Sequence, residues 1–145
     1  MLFFMKKIFV LALLLLAFNA KSQTKYETEK WLAEKLYAFR YTYTYSGIST
    51  LKVEVCNCEI KVTHIQQSPT ESCIGIERIP ITSLLTSMGG GVYEFRGNIS
   101  IKWETKNQAE ITTSLYRLVV PDDMLERIKK ALEHYKNLCG VDEPF

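Results

Sequence analysis

The spacing of apolar residues along the chain changes from helical to alternating and back again. The first helical pattern covers residues 24–39, where Thr24 and Glu27 have the spacing of a capping box. In a capping box each side chain accepts a hydrogen bond from a free backbone N–H at the start of a helix. The residues that share one face of this segment are Thr28, Leu32, Leu36 and Phe39. The sequence therefore predicts an N-terminal amphipathic helix.

Between residues 41 and 120 the period changes to two, which is typical of half-buried strands. The alternating or extended segments are residues 41–45, 51–55, 60–64, 73–77, 79–81, 92–95, 99–104 and 109–120. The alternation reverses phase between Val55 and Ile60, which predicts a tight turn or a bulge between them. Gly97-Asn98 predicts a hairpin turn between its neighbouring strands. We expect six to seven short antiparallel strands.

A second helical pattern follows Pro121, which ends the strand region. Asp123 and Glu126 repeat the capping-box spacing, and Gly140 stands where a C-cap glycine is expected. The apolar stripe of this segment consists of Leu125, Ile128, Leu132, Tyr135 and Cys139. The order of helix, antiparallel strands and helix predicts an α+β domain, with the strands in a meander or a small barrel.

This pattern resembles the pleckstrin-homology-like superfold, in which an antiparallel sheet is closed by a C-terminal amphipathic helix. The opening residues 24–36 and the closing residues 125–138 are also similar to those of small uncharacterised exported bacterial proteins. The resemblance implies a fold, and it assigns no functional residue to a position. Members of the superfold bind lipids or peptides, so the fold alone does not decide the function.

Residues 1–22 have the pattern of a secretory signal peptide. Lys6 and Lys7 precede an apolar run over residues 8–18, and Ala20-Lys21-Ser22 supplies small residues for cleavage. Met5 precedes this pattern directly, which favours translation from Met5. We expect an exported protein, periplasmic or secreted, with residues 23–145 forming a single domain. The apolar run is shorter than the roughly 20 residues that cross a membrane, so no stable span is expected after cleavage.

Removal of this segment changes the charge of the chain. Lys6, Lys7 and Lys21 are lost, so 18 basic side chains become 15 against 16 acidic ones, a net charge of −1. The electrostatic reason to expect nucleic-acid binding disappears with these lysines.

Four cysteines in an exported chain suggest disulfides, and four cysteines allow three connectivities. One expectation is a bridge from Cys56 or Cys58 to Cys73 across the intervening loop. Cys139 then pairs with the remaining cysteine or stays reduced in the core. The Cys-x-Cys spacing lacks the spacer of structural zinc motifs, so neither a metal nor another cofactor is expected.

An aromatic row is the candidate binding surface. On a strand, Tyr41, Tyr43 and Tyr45 would project from one face, with Trp103 or Tyr93 opposite, and could stack on a sugar or bind a partner. The alternative is that the row covers the helix-facing side of the sheet.

No motif of a hydrolase triad, a zinc protease or a phosphate-binding loop is present in the sequence. We therefore expect a non-enzymatic binding or interaction domain, with no assigned catalytic residue, for a protein, glycan or lipid-like partner. One alternative is a periplasmic hydrolase or accessory enzyme that uses dispersed carboxylates and His64. The other alternative is a carrier of a lipid-like ligand.

Overall fold

In the part of the chain that the structure describes, a helix, seven antiparallel strands and a second helix follow in order, which confirms the predicted α+β class. The computed structural model describes residues 24–42, 47–67, 69–104 and 115–140. The elements are α1 (Lys25–Ala38), β1 (Ile48–Cys56), β2 (Glu59–Gln67), β3 (Ser72–Pro80), β4 (Leu84–Gly89), β5 (Val92–Arg96), β6 (Ser100–Trp103), β7 (Arg117–Val119) and α2 (Asp122–Leu138). The predicted signal peptide over residues 1–22 lies outside the described residues.

The first helix begins where its capping box predicts. Thr24 Oγ1 accepts a hydrogen bond from Glu27 N at 3.2 Å, and the Glu27 carboxylate accepts one from Thr24 N at 2.9 Å. Thr28, Leu32 and Leu36 are buried, as their spacing predicts. This face of α1 packs mainly on β1 and on α2.

The strands form two antiparallel sheets. The four-stranded sheet has the order β1-β2-β3-β6, and the three-stranded sheet has the order β4-β5-β7. The segments predicted separately over residues 73–77 and 79–81 form the single strand β3, which ends at Pro80. Strand β4 was not predicted. Of the strand predicted over residues 109–120, β7 occupies Arg117–Val119, and residues 109–114 lie outside the described part.

The predicted hairpin at Gly97-Asn98 is wrong. Strand β5 pairs with β4 and β7, whereas β6 pairs with β3 in the other sheet. Gly97 has a φ of +156°, and its chain segment passes from one sheet to the other instead of reversing within one. A glycine-asparagine turn signal is local, but the partner of the next strand is decided by distant residues.

The β1–β2 hairpin contains both irregularities that shape its inner face, the face directed toward the core. Asn57 and Cys58 have φ values of 52° and 62°, so the phase reversal is a tight turn of two left-handed residues. A register shift lies between Thr50 and Lys52, which makes Leu51 the extra residue of a bulge. Leu51 is exposed, while Thr50 faces His64 across the ladder. The bulge thus turns Thr50 toward the core.

The second helix carries the predicted stripe. Leu125, Ile128 and Tyr135 are buried, and Gly140 follows the C-cap with a φ of +65°. The predicted capping box of this helix is wrong, because the N-cap is Pro121, two residues before Asp123, and it forms no side-chain cap hydrogen bond. Asp122 and Asp123 instead lie in the first turn, where a negative charge interacts favourably with the helix dipole.

The main core lies between both sheets and both helices. Its fully buried members come from every layer and include Leu36, Ile60, Phe95, Leu118 and Ile128. A smaller cluster of Cys73, Ile101 and Trp103 covers the β3–β6 side. There the Trp103 ring lies against Gly75, where an added Cβ would stand 2.7 Å from a ring carbon.

Candidate functional site

A groove of about 440 Å³ runs between the two helices. It is lined by Trp31 of α1 and by Arg127, Lys130, Ala131 and His134 of α2. The spacing of these four α2 residues places them on one helical face, next to the stripe that packs into the core. The packing of the core stripe therefore presents the adjacent polar face of α2 to Trp31.

The groove carries positive charge beside an aromatic ring. The Arg127 guanidinium lies 5.8 Å from the centre of the Trp31 ring, within the range of a cation–π interaction. Arg127 and Lys130 are exposed, while Trp31 and His134 are half-buried. None of the five lining residues is acidic.

The ion pair next to these cations on α2 does not line the groove. Glu126 pairs with Lys129 at 3.1 Å, and Lys129 lines a different cleft with Leu132 and Lys136. Within the described part of the chain, neither Arg127 nor Lys130 forms an ion pair. The groove can therefore receive carboxylates or phosphates at its cations and an apolar or aromatic group at Trp31.

A second polar cluster is formed by buried side chains of the four-stranded sheet. His64 Nε2 lies 2.8 Å from Glu77 Oε2, and the two side chains are 1% and 0% exposed. The imidazole and the carboxyl group therefore share one short buried hydrogen bond, whose direction depends on the tautomer of the ring. Nδ1 faces the Thr50 hydroxyl at 3.5 Å. The Leu115 backbone N–H donates to the other Glu77 oxygen at 3.1 Å.

Tyr116 encloses this cluster from the side of α1. Its hydroxyl donates to the Leu36 carbonyl at 2.5 Å, and its ring centre lies 6.4 Å from that of His64. Burial, followed by the charge of Glu77, raises the pKa of Tyr116. The arrangement satisfies the buried polar groups and leaves the imidazole almost without exposed surface.

The aromatic residues predicted to form one row lie in different environments where the structure describes them. Tyr41 is 36% exposed and lines a cavity of about 80 Å³ with Arg40 and Thr50, and its backbone N–H donates to Arg117 O at 2.8 Å. Trp103 is only 7% exposed, in the smaller core cluster. Tyr43 and Tyr45 lie outside the described residues, so the row itself stays a prediction.

The disulfide joins Cys58 to Cys139, with Cα atoms 5.8 Å apart. The predicted bridge from Cys56 or Cys58 to Cys73 is wrong, because Cys56 is exposed and free and Cys73 is buried and free. Cys73 pairs with Gln66, whereas Glu59, next to Cys58, pairs with Pro80. Cys73 and Pro80 are seven steps apart along the strand, a distance of about 23 Å at the usual rise per residue. The expectation of a disulfide is confirmed, and of the two outcomes considered for Cys139 the structure has pairing, but without the bridge to Cys73 that was to accompany it.

Sequence reasoning missed the residues of the groove. Arg127, Lys130 and His134 recur at helical spacing, which is a signal for one shared face. Trp31 stands beside Leu32 of the apolar stripe on α1, and its sequence position does not indicate a binding role. Its position opposite the α2 cations depends on how the two helices pack, which no local pattern reports.

Comparison with known proteins found no matching family model, and no significant match among curated proteins or solved structures. Among the described residues, neither helix is long and apolar enough to cross a membrane. The same part of the chain contains no group of three His, Cys, Asp or Glu residues that could hold a metal ion.

Proposed function

We propose that the protein is an exported, non-enzymatic interaction domain that binds an acidic peptide segment of a partner protein in the groove between α1 and α2. The observation that carries this assignment is the position of Trp31 opposite Arg127, Lys130 and His134. Carboxylates of the partner contact the three α2 side chains, and an apolar or aromatic side chain packs on the indole ring.

Export is supported by two features. Residues 1–22 have the order of positive charge, apolar run and small residues that a signal peptide shows. The Cys58–Cys139 bridge is of the kind that persists in oxidising compartments outside the cytosol. A pleckstrin-homology-like arrangement remains part of the interpretation, supported by the antiparallel strands followed by α2.

The burial of His64 favours binding over hydrolysis. A histidine that acts as a general base must reach its substrate or a bound water, and His64 is 1% exposed and committed to Glu77. His134 is half-buried and lines the groove.

A titration with two peptides tests the proposed binding. The first probe has four glutamates around one phenylalanine, and the second has glutamines in place of the glutamates. Trp31 fluorescence reports binding, because Trp103 is buried away from solvent. We expect the acidic peptide to bind more tightly, and its affinity to fall as salt rises from about 0.05 M to about 0.5 M. Equal binding of both peptides would overturn the assignment.

Variants locate the binding site. Arg127→Gln and Lys130→Gln should each weaken binding of the acidic peptide about threefold to tenfold, because each removes one exposed cation from the groove. Lys129→Gln is the matched control, since it makes the same change in charge on the same helix but lines another cleft. An equal loss in all three variants would indicate a nonspecific charge effect. Stronger binding of a neutral oligosaccharide or a neutral lipid vesicle would favour a glycan or lipid-like partner instead.

A further inference from the structure

The Cys58–Cys139 bridge lies beside a third sulfur. Cys58 is in the turn between β1 and β2, and Cys139 is at the C-terminal end of α2, so the bridge fastens the first hairpin to the last helix. Both bridged residues are half-buried. Cys56 is an exposed free thiol separated from Cys58 by Asn57 alone.

The turn keeps these groups close together. Asn57 and Cys58 both have left-handed backbone angles, which fold the chain back within two residues. The Cys58 backbone N–H donates to the Tyr135 hydroxyl at 3.1 Å, and that hydroxyl donates to Glu29 at 2.7 Å. Burial raises the pKa of Tyr135, with smaller contributions from the hydrogen bond to Glu29 and from the charge of Cys56. Because Asn57 alone separates Cys56 from Cys58, the Cys56 thiol lies at the same end of the hairpin as the bridge to α2.

Lys25 distinguishes the two bridged sulfurs. Its ammonium group donates to Cys58 Sγ at 3.4 Å, and it lies 5.8 Å from the centre of the Tyr135 ring. A neighbouring cation favours negative charge on sulfur, and the sulfur that carries negative charge more readily is the better leaving group in exchange. The position of Lys25 therefore favours departure of Cys58 when the bridge opens.

We propose that the three cysteines form a site of internal thiol–disulfide exchange, in which Cys56 displaces Cys58 from Cys139. The Cys56 thiol loses its proton to water, and its thiolate attacks Cys139 Sγ. The Cys56–Cys139 bond forms as the Cys58–Cys139 bond breaks, and Cys58 leaves as a thiolate beside Lys25. One disulfide and one thiol exist before and after, so no external oxidant or reductant is needed.

Trapping with a maleimide tests the exchange. The oxidised protein is incubated with the reagent at pH 8, digested with trypsin without reduction and analysed by tandem mass spectrometry. Cys56 and Cys58 lie in one tryptic peptide between Lys52 and Lys61, so fragmentation at Asn57 must separate their labels. We expect labelled Cys58 together with a Cys56–Cys139 linked peptide. Label confined to Cys56 at all times would overturn the exchange.

Matched variants identify the residues that act. Cys56→Ser should abolish the labelling of Cys58, because the attacking thiol is gone. Lys25→Gln should slow that labelling about threefold to tenfold, whereas Lys30→Gln, an exposed lysine on the same helix, should leave it unchanged. Circular dichroism verifies that each variant is folded. An unchanged rate in Lys25→Gln would contradict the role of the ammonium.

Concentration separates exchange within one molecule from exchange between molecules. The rate of Cys58 labelling should not change when the protein is diluted tenfold. A rate proportional to concentration, with disulfide-linked dimers on a nonreducing gel, would overturn an internal step. Neither the labelling of Cys58 nor the gel depends on binding in the groove. A negative result for the exchange therefore leaves the outcome of the peptide titration open.

Discussion

His64 and His134 carry the same imidazole in opposite surroundings. His64 faces the interior of a sheet, and Glu77, Thr50 and Tyr116 surround its ring. His134 lies on a helix face beside Lys130 and opposite Trp31, in an open groove. Around His64 the hydrogen-bonding groups of the protein satisfy each other. In the groove of His134, the cations of Arg127 and Lys130 face solvent. The difference shows why a buried ionisable residue is weak evidence for activity when its partners are already in place.

The largest expected difference between the two regions is in stability. Glu77→Ala leaves the buried His64 ring without its hydrogen-bond partner and removes an acceptor of the Leu115 N–H, so we expect a loss of about 3–5 kcal/mol in the free energy of unfolding. His134→Ala should change it by less than about 0.5 kcal/mol, because the residue is half-buried on a groove wall. Urea denaturation measures both. A loss under about 1 kcal/mol in Glu77→Ala would remove the contrast.

A glycine tests how closely the His64 region is packed. Gly75 pairs with His64 across the ladder, and the Trp103 ring covers it. Gly75→Ala should cost about 1–3 kcal/mol, since the added methyl group must displace the ring. Gly140→Ala is the comparison near the groove helix, where no atom lies within 4 Å of an added Cβ and only the left-handed backbone opposes it. Near-ultraviolet circular dichroism should report the displaced indole only in Gly75→Ala.

A smaller loss than in Glu77→Ala is expected at Tyr135, which follows His134 on α2 but is buried in the core. Tyr135→Phe removes hydrogen bonds with Cys58 and Glu29, for an expected loss of about 1–2 kcal/mol at neutral pH.

The same substitution should change the response of the protein to alkali. The pKa of Tyr135 is raised in the folded chain, whereas an unfolded tyrosine titrates near about 10. Its contribution to stability is therefore complete below pH 10 and decreases as the pH rises above that value. Urea denaturation between pH 9 and 11 should show a smaller decline in Tyr135→Phe than in the unmodified protein. Equal declines would contradict this interpretation.

Local signals predicted the elements that local interactions define. Thr24 and Glu27 satisfy each other within one turn, and the stripe from Leu125 to Tyr135 depends only on helical spacing. The turn at Asn57 was visible because the alternation of buried residues reverses there. The Leu51 bulge was not predicted, although it decides that Thr50 faces His64.

Features that join distant segments were predicted poorly. Strand β6 follows a turn signal at Gly97 but pairs with β3, because β4 and β7 occupy both sides of β5. Cys58 and Cys139 are 81 residues apart, and nothing in their spacing distinguishes this pair from the bridge to Cys73. The groove also depends on contacts between distant segments, since Trp31 and the α2 cations come together only through the packing of α1 on α2.

The bridge between Cys58 and Cys139 also makes most of the domain a covalent ring. Strands β2 to β7 and helix α2 all belong to the closed segment, whereas α1 and β1 form a tail outside it. A single cut by a protease between the two cysteines would open the ring into two chains that the disulfide still joins, so no fragment would be released. A cut between α1 and β1 would separate α1, which the core then retains by noncovalent contacts alone.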